Sequence, residues 1–270
     1  MRVKDITLVS DLDGTIVPIS GIVSEKNKQA IKKFQELGGT FAVATGRSPI
    51  SAKSILEALD VDGIIIANNG ALIYDIKNKK SLWCKYLEPS YKQVVAYAKH
   101  HYPNVGIELI TDDGRYYIAS SNERVAEIIR GTNFSVNYVE EKDYPDCCCK
   151  VLFVPNDDEF RPFVEDMLNQ RFEDMEFVES GGNCFEMMAS GISKGYPFER
   201  LIGFYNKKLS DSAAIGDYYN DVEMLKKAAI GAAVENAVKD VKKAANIIVK
   251  SCEDDGLADF IDYLINNSEK

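Results

Sequence analysis

Two aspartates at alternate positions, in Asp11-Leu12-Asp13-Gly14-Thr15, follow directly on the apolar run Ile6–Ser10. One carboxylate at such a place can attack phosphorus and form an aspartyl-phosphate. Its neighbour two residues on can protonate the leaving oxygen and then take a proton from water. Gly14 permits a sharp turn and a close approach of backbone to a phosphoryl group. Taken alone, the same spacing also serves calcium loops and ordinary turns. A second stretch, Ala44-Thr45-Gly46-Arg47, again follows a strand pattern. Its hydroxyl and glycine amide are natural donors to phosphate oxygens, backed by the dipole of a helix starting near Pro49. The alternative is that Thr45 only caps that helix. In Ser193-Lys194-Gly195, the lysine can balance the charge of an aspartate and a phosphate, although surface lysines are commonly just solvated. In Gly216-Asp217-Tyr218-Tyr219-Asn220-Asp221, two carboxylates suit magnesium, which takes oxygen ligands and keeps several waters. The competing explanation is that Asp221 caps the next helix.

Each stretch needs a strand to deliver it. Strand patterns at Ile6–Ser10, Phe41–Ala44 and Gly63–Ala67 alternate with helix patterns from Ser24 to Leu37 and from Pro49 to Leu59. Ser24 is a plausible N-cap, with Ala30, Ile31, Phe34 and Leu37 on one apolar stripe and Gly38-Gly39 as the stop. Short strands that are apolar throughout and separated by helices indicate a parallel sheet covered on both faces. Ligands bind such sheets at the carboxyl edge, which is where all four stretches fall.

The texture changes after Asn69-Gly70. Ala71–Tyr74 and Ser81–Tyr86 predict a hairpin, followed by a helix from Pro89 to His101 and paired strands at Val105–Thr111 and Tyr116–Ala119 around Asp113-Gly114. Further helices are expected at Asn122–Gly131 and Asp158–Gln170, with strands at Cys148–Val154 and near Phe177 and Phe185. Beyond Ser193 the first texture resumes, with strands at Ser212–Ile215, Ile230–Val234 and Ile247–Val249. Helices at Pro197–Tyr205, Asp221–Ala228, Val238–Ala244 and from Leu257 separate and follow them. The outer segments read as halves of one sheet, interrupted by an α+β domain of ordinary size.

Together the four stretches resemble the four motifs of the haloacid dehalogenase-like superfamily, and more narrowly its Cof-type sugar-phosphatase branch. Asn69-Gly70-Ala71, Ser193-Lys194-Gly195, the run from Gly216 to Met224 and Asp255-Gly256 belong to that likeness, which spans nearly the whole chain. The resemblance implies an α/β fold: a Rossmann-like parallel sheet core with helices on both faces (residues 1–84 and 190–270) plus an inserted α+β cap domain for substrate specificity (residues 85–189). It implies that Asp11 is the nucleophile and Asp13 the general acid/base. Leu12, Gly14, Thr45, Gly46, Lys194 and Asn220 would bind the phosphoryl group. Mg2+ would be held by Asp11, Asp13 (through its backbone carbonyl), Asp217 and Asp221. The expected activity is hydrolysis of a small phosphorylated metabolite, a sugar phosphate or phosphorylated cofactor. A phosphomutase of the same superfamily and a non-catalytic phosphate-ligand sensor are the alternatives. Glu108, Arg115, Tyr117, Glu186 and Met188 are left as candidates for reading the substrate.

Bulk properties agree with a small-molecule enzyme. The net charge is −10 over 270 residues, with 46% hydrophobic residues, so no global field gathers nucleic acid or an anionic membrane. No signal-like or membrane-length apolar stretch is read in the sequence. Six cysteines, three of them consecutive at Cys147–Cys149, make no bridging framework and no zinc spacing, so a reduced, cytoplasmic protein is expected. Cys147–Cys149 read as small hydrophobes of a strand, and His100 and His101 as solvated or capping. Trp83 reads as packing near the domain junction. Tyr218 and Tyr219 stand open between packing and lining a site.

Overall fold

Strand β1 (Thr7–Ser10) is buried at all its positions, as a strand covered on both faces must be. Helix α1 (Glu25–Glu36) is capped by Ser24, whose hydroxyl accepts the Asn27 N–H at 3.1 Å, and it buries Ala30, Ile31 and Phe34. Leu37, expected on that apolar stripe, is instead 48% exposed. The helix has ended, and Gly38 at φ +88° turns the chain away before Leu37 can reach the core. β2 (Thr40–Val43), α2 (Pro49–Ala58) and β3 (Ile64–Ala67) follow. β4 (Leu72–Asp75) and β5 (Lys80–Cys84) then form a three-stranded sheet with β3, in the order β3-β4-β5. The computed structural model describes residues 2–130, 135–180 and 182–269.

Two compact units divide the chain: Met1–Leu82 with Ser193–Lys270, and Trp83–Ile192. The second unit contains α3 (Tyr91–His101), β6 (Gly106–Thr111), β7 (Tyr116–Ser120), α4 (Glu123–Arg130) and β8 (Val136–Tyr138). It continues with β9 (Cys148–Val154), α5 (Phe160–Asn169), β10 (Met175–Ser180) and β11 (Cys184–Ala189). Its sheet runs β10-β11-β9-β6-β7-β8. Pairings are antiparallel except between β7 and β8, which are parallel. Alternate residues point to opposite faces of a strand. One face presents Ile107, Leu109, Val151, Phe153, Phe185 and Met187 to an apolar core shared with Val94, Val95 and Ala98 of α3 and Phe160, Phe163 and Met167 of α5. On the other face, Val125 of α4 packs with Ile118, Val154 and Cys184. The expected helix end at Gly131 lies outside the described residues. β8, whose three residues are half-buried or exposed, has no apolar run to announce it.

The chain re-enters the first unit through α6 (Phe198–Phe204), β12 (Ser212–Gly216), α7 (Val222–Lys227), β13 (Ile230–Val234), α8 (Lys239–Ala244), β14 (Ile247–Val249) and α9 (Gly256–Asn266). The main sheet has the order β14-β13-β12-β1-β2, and its pairings are parallel. Thr7 is in register with Ser212 on one side and with Thr40 on the other, so strands far apart in sequence end level. The first three strands were expected to share this sheet. β3 meets it at a parallel bridge, Ala44 to Ile66, and then pairs antiparallel with β4. Asn68, Asn69 and Gly70, with φ of 50°, 56° and 104°, reverse the chain there. α1 packs on α9, with Asn27 accepting the Ala258 N–H at 3.0 Å. The six cysteines are thiols; Cys148 and Cys149 are buried and Cys147 is exposed. His100 and His101 are exposed at the end of α3. Among the described residues no helix is long and apolar enough to cross a membrane.

Candidate active site

Asp11 leaves the carboxyl end of β1, and its N–H donates to the Ile215 carbonyl of β12 at 3.0 Å. The Leu12 carbonyl then accepts from the amides of Thr15, Ile16 and Val17 at 3.2, 2.8 and 2.8 Å, winding the acids into a tight loop. The Leu12 side chain is fully buried, so only its main chain is available to a phosphate. Gly14 has φ +85°, and a Cβ there would stand 2.4 Å from Asp217 Oδ2. A side chain at this position would therefore be strained and would strike a carboxylate. Asn236, in the loop after β13, fixes the same turn by donating to the Gly14 carbonyl at 2.8 Å while accepting the Cys252 N–H at 2.7 Å. Sequence reasoning missed Asn236, which carries no motif.

Three carboxylates converge. Asp11, Asp217 and Asp221 each place an oxygen within 4.8 Å of the others. Lys194 reaches them from the re-entry segment, with Nζ 2.5 Å from Asp11 Oδ1 and 2.8 Å from Asp221 Oδ1. Lys194, Asp11 and Asp221 are all buried. The other oxygen of Asp221 accepts the amides of Asp217 and Tyr218 at 3.0 and 3.1 Å. Asp221 therefore ties down the turn that precedes it and gives α7 no side-chain cap, contrary to the competing explanation, and it faces Lys194 with its other oxygen. The lysine is framed by Ser193, hydrogen-bonded to Glu223, and by Lys227, which donates to the Gly195 carbonyl at 2.8 Å. Gly70 backs closely on this segment, since a Cβ there would meet the Ser193 carbonyl oxygen at 2.0 Å.

Three carboxylates against one ammonium leave an excess of buried negative charge. Burial pushes the Asp11 carboxyl well above the usual range, and the charges of Asp221 and Asp217 add to this against the pull of Lys194. Asp217 is pushed up to about 6, by burial first and then by Asp221. Burial alone would lower the Lys194 pKa; Asp11 and Asp221 overturn that and hold it above the usual lysine range. Asp11 Oδ2 is buried and has no hydrogen-bond partner. An all-oxygen donor set with excess negative charge and an orphaned carboxylate oxygen fits a hard divalent cation.

The remaining expected residues divide. Thr45 Oγ1 accepts the Arg47 N–H at 3.0 Å, and Thr45 does not cap α2. Ser48 does so, accepting the Ser51 N–H at 3.1 Å, which leaves Thr45 on the strand edge. A Cβ on Gly46 would stand 2.8 Å from Asn69 Oδ1, and the same oxygen accepts from Asn220 Nδ2 at 2.9 Å. Asn220 Oδ1 is buried with no hydrogen-bond partner. Asn69 therefore links the second and fourth motifs, a role its sequence position did not reveal. The Asp13 side chain stands apart from the carboxylate cluster, held by a two-point pair with Arg47 at 2.8 and 2.7 Å, with side-chain exposures of 50% and 37%. Arg47 belongs to the second motif, whose sequence assigns it no role. Its planar fork is suited to a carboxylate. Tyr218 and Tyr219 are 49% and 56% exposed, their rings edge to face at 5.0 Å.

The family model for haloacid dehalogenase-like hydrolases matches residues 8–261. The chain is 26% identical to the 5-amino-6-(5-phospho-D-ribitylamino)uracil phosphatase YwtE of Bacillus subtilis, over 95% of this chain and 96% of that one. It is 25% identical to the HMP-PP phosphatase of Yersinia pseudotuberculosis, over 95% of this chain and 94% of the relative. Among solved structures, a haloacid dehalogenase-like hydrolase from Bacteroides thetaiotaomicron superposes with a TM-score of 0.82 at 23% identity, covering 96% of this chain and 98% of that one. A Rossmann-like core with an inserted α+β domain, buried acids at the ends of β1 and β12, and a family match over most of its length agree: this chain is an enzyme of the haloacid dehalogenase-like hydrolase family.

Proposed function

We propose that this hydrolase is a magnesium-dependent phosphatase of small phosphate monoesters, with Asp11 as nucleophile. The carrying observation is the buried Asp11–Lys194–Asp221 contact beside an unpartnered Asp11 oxygen. Asp11, Asp217 and Asp221, with the Asp13 backbone carbonyl, would hold Mg2+, which when bound supplies positive charge to the phosphoryl oxygens and favours the ionised carboxylates. Asp11 attacks phosphorus in line with the departing alcohol and forms the aspartyl-phosphate. Lys194 sits against Asp11 from the start and neutralises charge on the transferring group. The main chain of Leu12 and Gly14, with Thr45, Gly46 and Asn220, offers it hydrogen bonds. Asp13 gives its proton to the leaving oxygen and then takes one from the water that hydrolyses the intermediate. The half-exposed Asp13 can swing from Arg47 to do so, whereas the buried acids are fixed.

The relative named for a phosphorylated ribitylamino-uracil supports a small phosphorylated metabolite as substrate, and the net charge of −10 speaks against nucleic acid. We assign substrate choice to the inserted domain. Free cysteines support a reducing, cytoplasmic setting. The test is phosphate release from p-nitrophenyl phosphate and a panel of sugar and cofactor phosphates, with magnesium and with a chelator. Asp11→Asn should lower turnover by at least about 10³-fold. Turnover that survives the substitution, or wild type inactive on every ester, sinks the reading.

A further inference from the structure

The inserted sheet carries charge where it is buried. Glu108 on β6 is in register with Leu152 on β9, and Leu152 with Glu186 on β11. These three side chains therefore form one row on one face, opposite the apolar core. Lys150 lies two residues before Leu152 on the same face, diagonal to both glutamates. Its ammonium is 3.2 Å from Glu186 Oε1. Glu108, Lys150 and Glu186 are 2%, 4% and 6% exposed. Glu108 Oε1 is buried and has no hydrogen-bond partner. Met188, two residues beyond Glu186 and fully buried, provides an apolar wall. Of the other candidates the sequence left open, Tyr117 packs on the core face and Arg115 pairs with Asp113 at 3.1 Å.

An orphaned, buried carboxylate oxygen is costly to leave bare. Ionised, it only accepts hydrogen bonds, so its partner must bring N–H or O–H. Two carboxylates around one ammonium leave negative charge in excess, which favours a cation over a hydroxyl. Burial, against the pull of Lys150, pushes the Glu108 carboxyl up to about 7, the mark of an acid whose counter-charge is incomplete.

We propose that Glu108, Lys150 and Glu186 form a binding site for an amino-bearing small molecule, Glu108 accepting from its ammonium or N–H group. The ligand is either an amino-bearing phosphate ester, an arm that rests on the phosphatase reading above, or a free amine. The probes are two matched pairs, glucosamine 6-phosphate against glucose 6-phosphate and pyridoxamine 5′-phosphate against pyridoxine 5′-phosphate, together with free glucosamine and free pyridoxamine. On the full chain with magnesium, kcat/KM should favour an amino ester over its hydroxyl partner by roughly tenfold or more, because both can donate a hydrogen bond to Glu108 but only the ammonium also balances its charge. Glu108→Gln should erase that preference. If the ligand is a free amine, glucosamine or pyridoxamine should raise the Tm of wild type and not that of Glu108→Gln. Should Glu108→Gln fail to fold, Glu186→Gln carries the same comparison.

The site is refuted if wild type shows neither the preference nor the melting shift. It is equally refuted if the substitution lowers both members of each pair alike, since that assigns Glu108 to the fold. Wild type that hydrolyses no ester defeats the phosphatase reading instead, and the melting shift with free amines then decides the site alone.

Discussion

Among the described residues, two buried carboxylate–lysine clusters occur, one in each unit, and they are satisfied differently. In the core, Asp11–Lys194–Asp221 sits just beyond the ends of β1 and β12, where the chain is turning and its amides are free to point inward. Asp221 takes two of them, from Asp217 and Tyr218. In the inserted unit, Glu108, Lys150 and Glu186 lie in mid-strand, where the ladder consumes the backbone amides. Only side chains remain to meet the charges, and Glu108 is left with an unpartnered oxygen. Strand ends can solvate charge with backbone, while strand middles cannot, so buried charge in mid-sheet depends on neighbouring side chains or on a ligand.

The comparison is broken most directly at its two lysines. Lys194→Met should lower phosphate release by at least about 10³-fold and stability by about 3–5 kcal/mol, since two buried carboxylates lose their partner. Denaturant unfolding without metal measures the second effect. If Lys194→Met proves no more damaging to stability than an exposed-lysine substitution, Lys194 does not compensate buried charge in the core. Gly14→Ala sharpens the core side alone. Its Cβ would strike Asp217, so Mg2+ affinity, read by titrating activity against metal, should fall by roughly 10–100-fold.

The inserted cluster should show itself in pH dependence. Glu108 is raised from 4.5 in the unfolded chain to about 7 in the fold, so the folded state holds its proton more tightly. Stability is then greatest below pH about 4.5, falls between about 4.5 and 7 as the unfolded chain ionises first, and is flat above. Glu108→Gln should remove that slope, of the order of 3 kcal/mol across the window, in urea melts at stepped pH. A slope unchanged in the variant would assign it to other acids. Arg47→Ala should have the smallest effect on stability. The pair with Asp13 is half exposed, so unfolding free energy should change by less than about 1 kcal/mol. A larger loss would place Asp13 with the buried acids rather than apart from them.

Legibility followed the local signal. Ser24 before an apolar stripe gave the start of α1, and the Gly38-Gly39 stop closed it. Ile247–Val249 matches its strand residue for residue, and the strands expected near Cys148–Val154 and Ile230–Val234 lie there, because apolar runs bounded by turns leave little choice. β8 was invisible, since its pairing with β7 supplies an order that its side chains do not. Leu37 was misplaced because periodicity continued past the point where the backbone had already turned. Asn69 and Asn236 were missed as supports because each acts through a loop brought alongside from elsewhere in the chain.

The sequence by itself determined the chemistry available at the strand ends. An aspartate pair, a threonine–glycine and a second acidic pair stand after apolar runs, with a lysine where the chain re-enters the first unit, and each type suits the phosphoryl transfer proposed for the site. Tertiary structure alone decided which of these groups touch. Parallel register sets β1 and β12 level, which brings Asp11 to Asp217 and Asp221. Lys194 meets Asp11 across 183 positions of sequence because Glu223 and Lys227 of α7 hold the re-entry segment beside them. Asp13 turns to Arg47 instead of joining the cluster. The mid-sheet charges of the inserted unit were likewise beyond the sequence. Glutamate, lysine and glutamate on three strands become one site only when antiparallel pairing fixes which residues share a face.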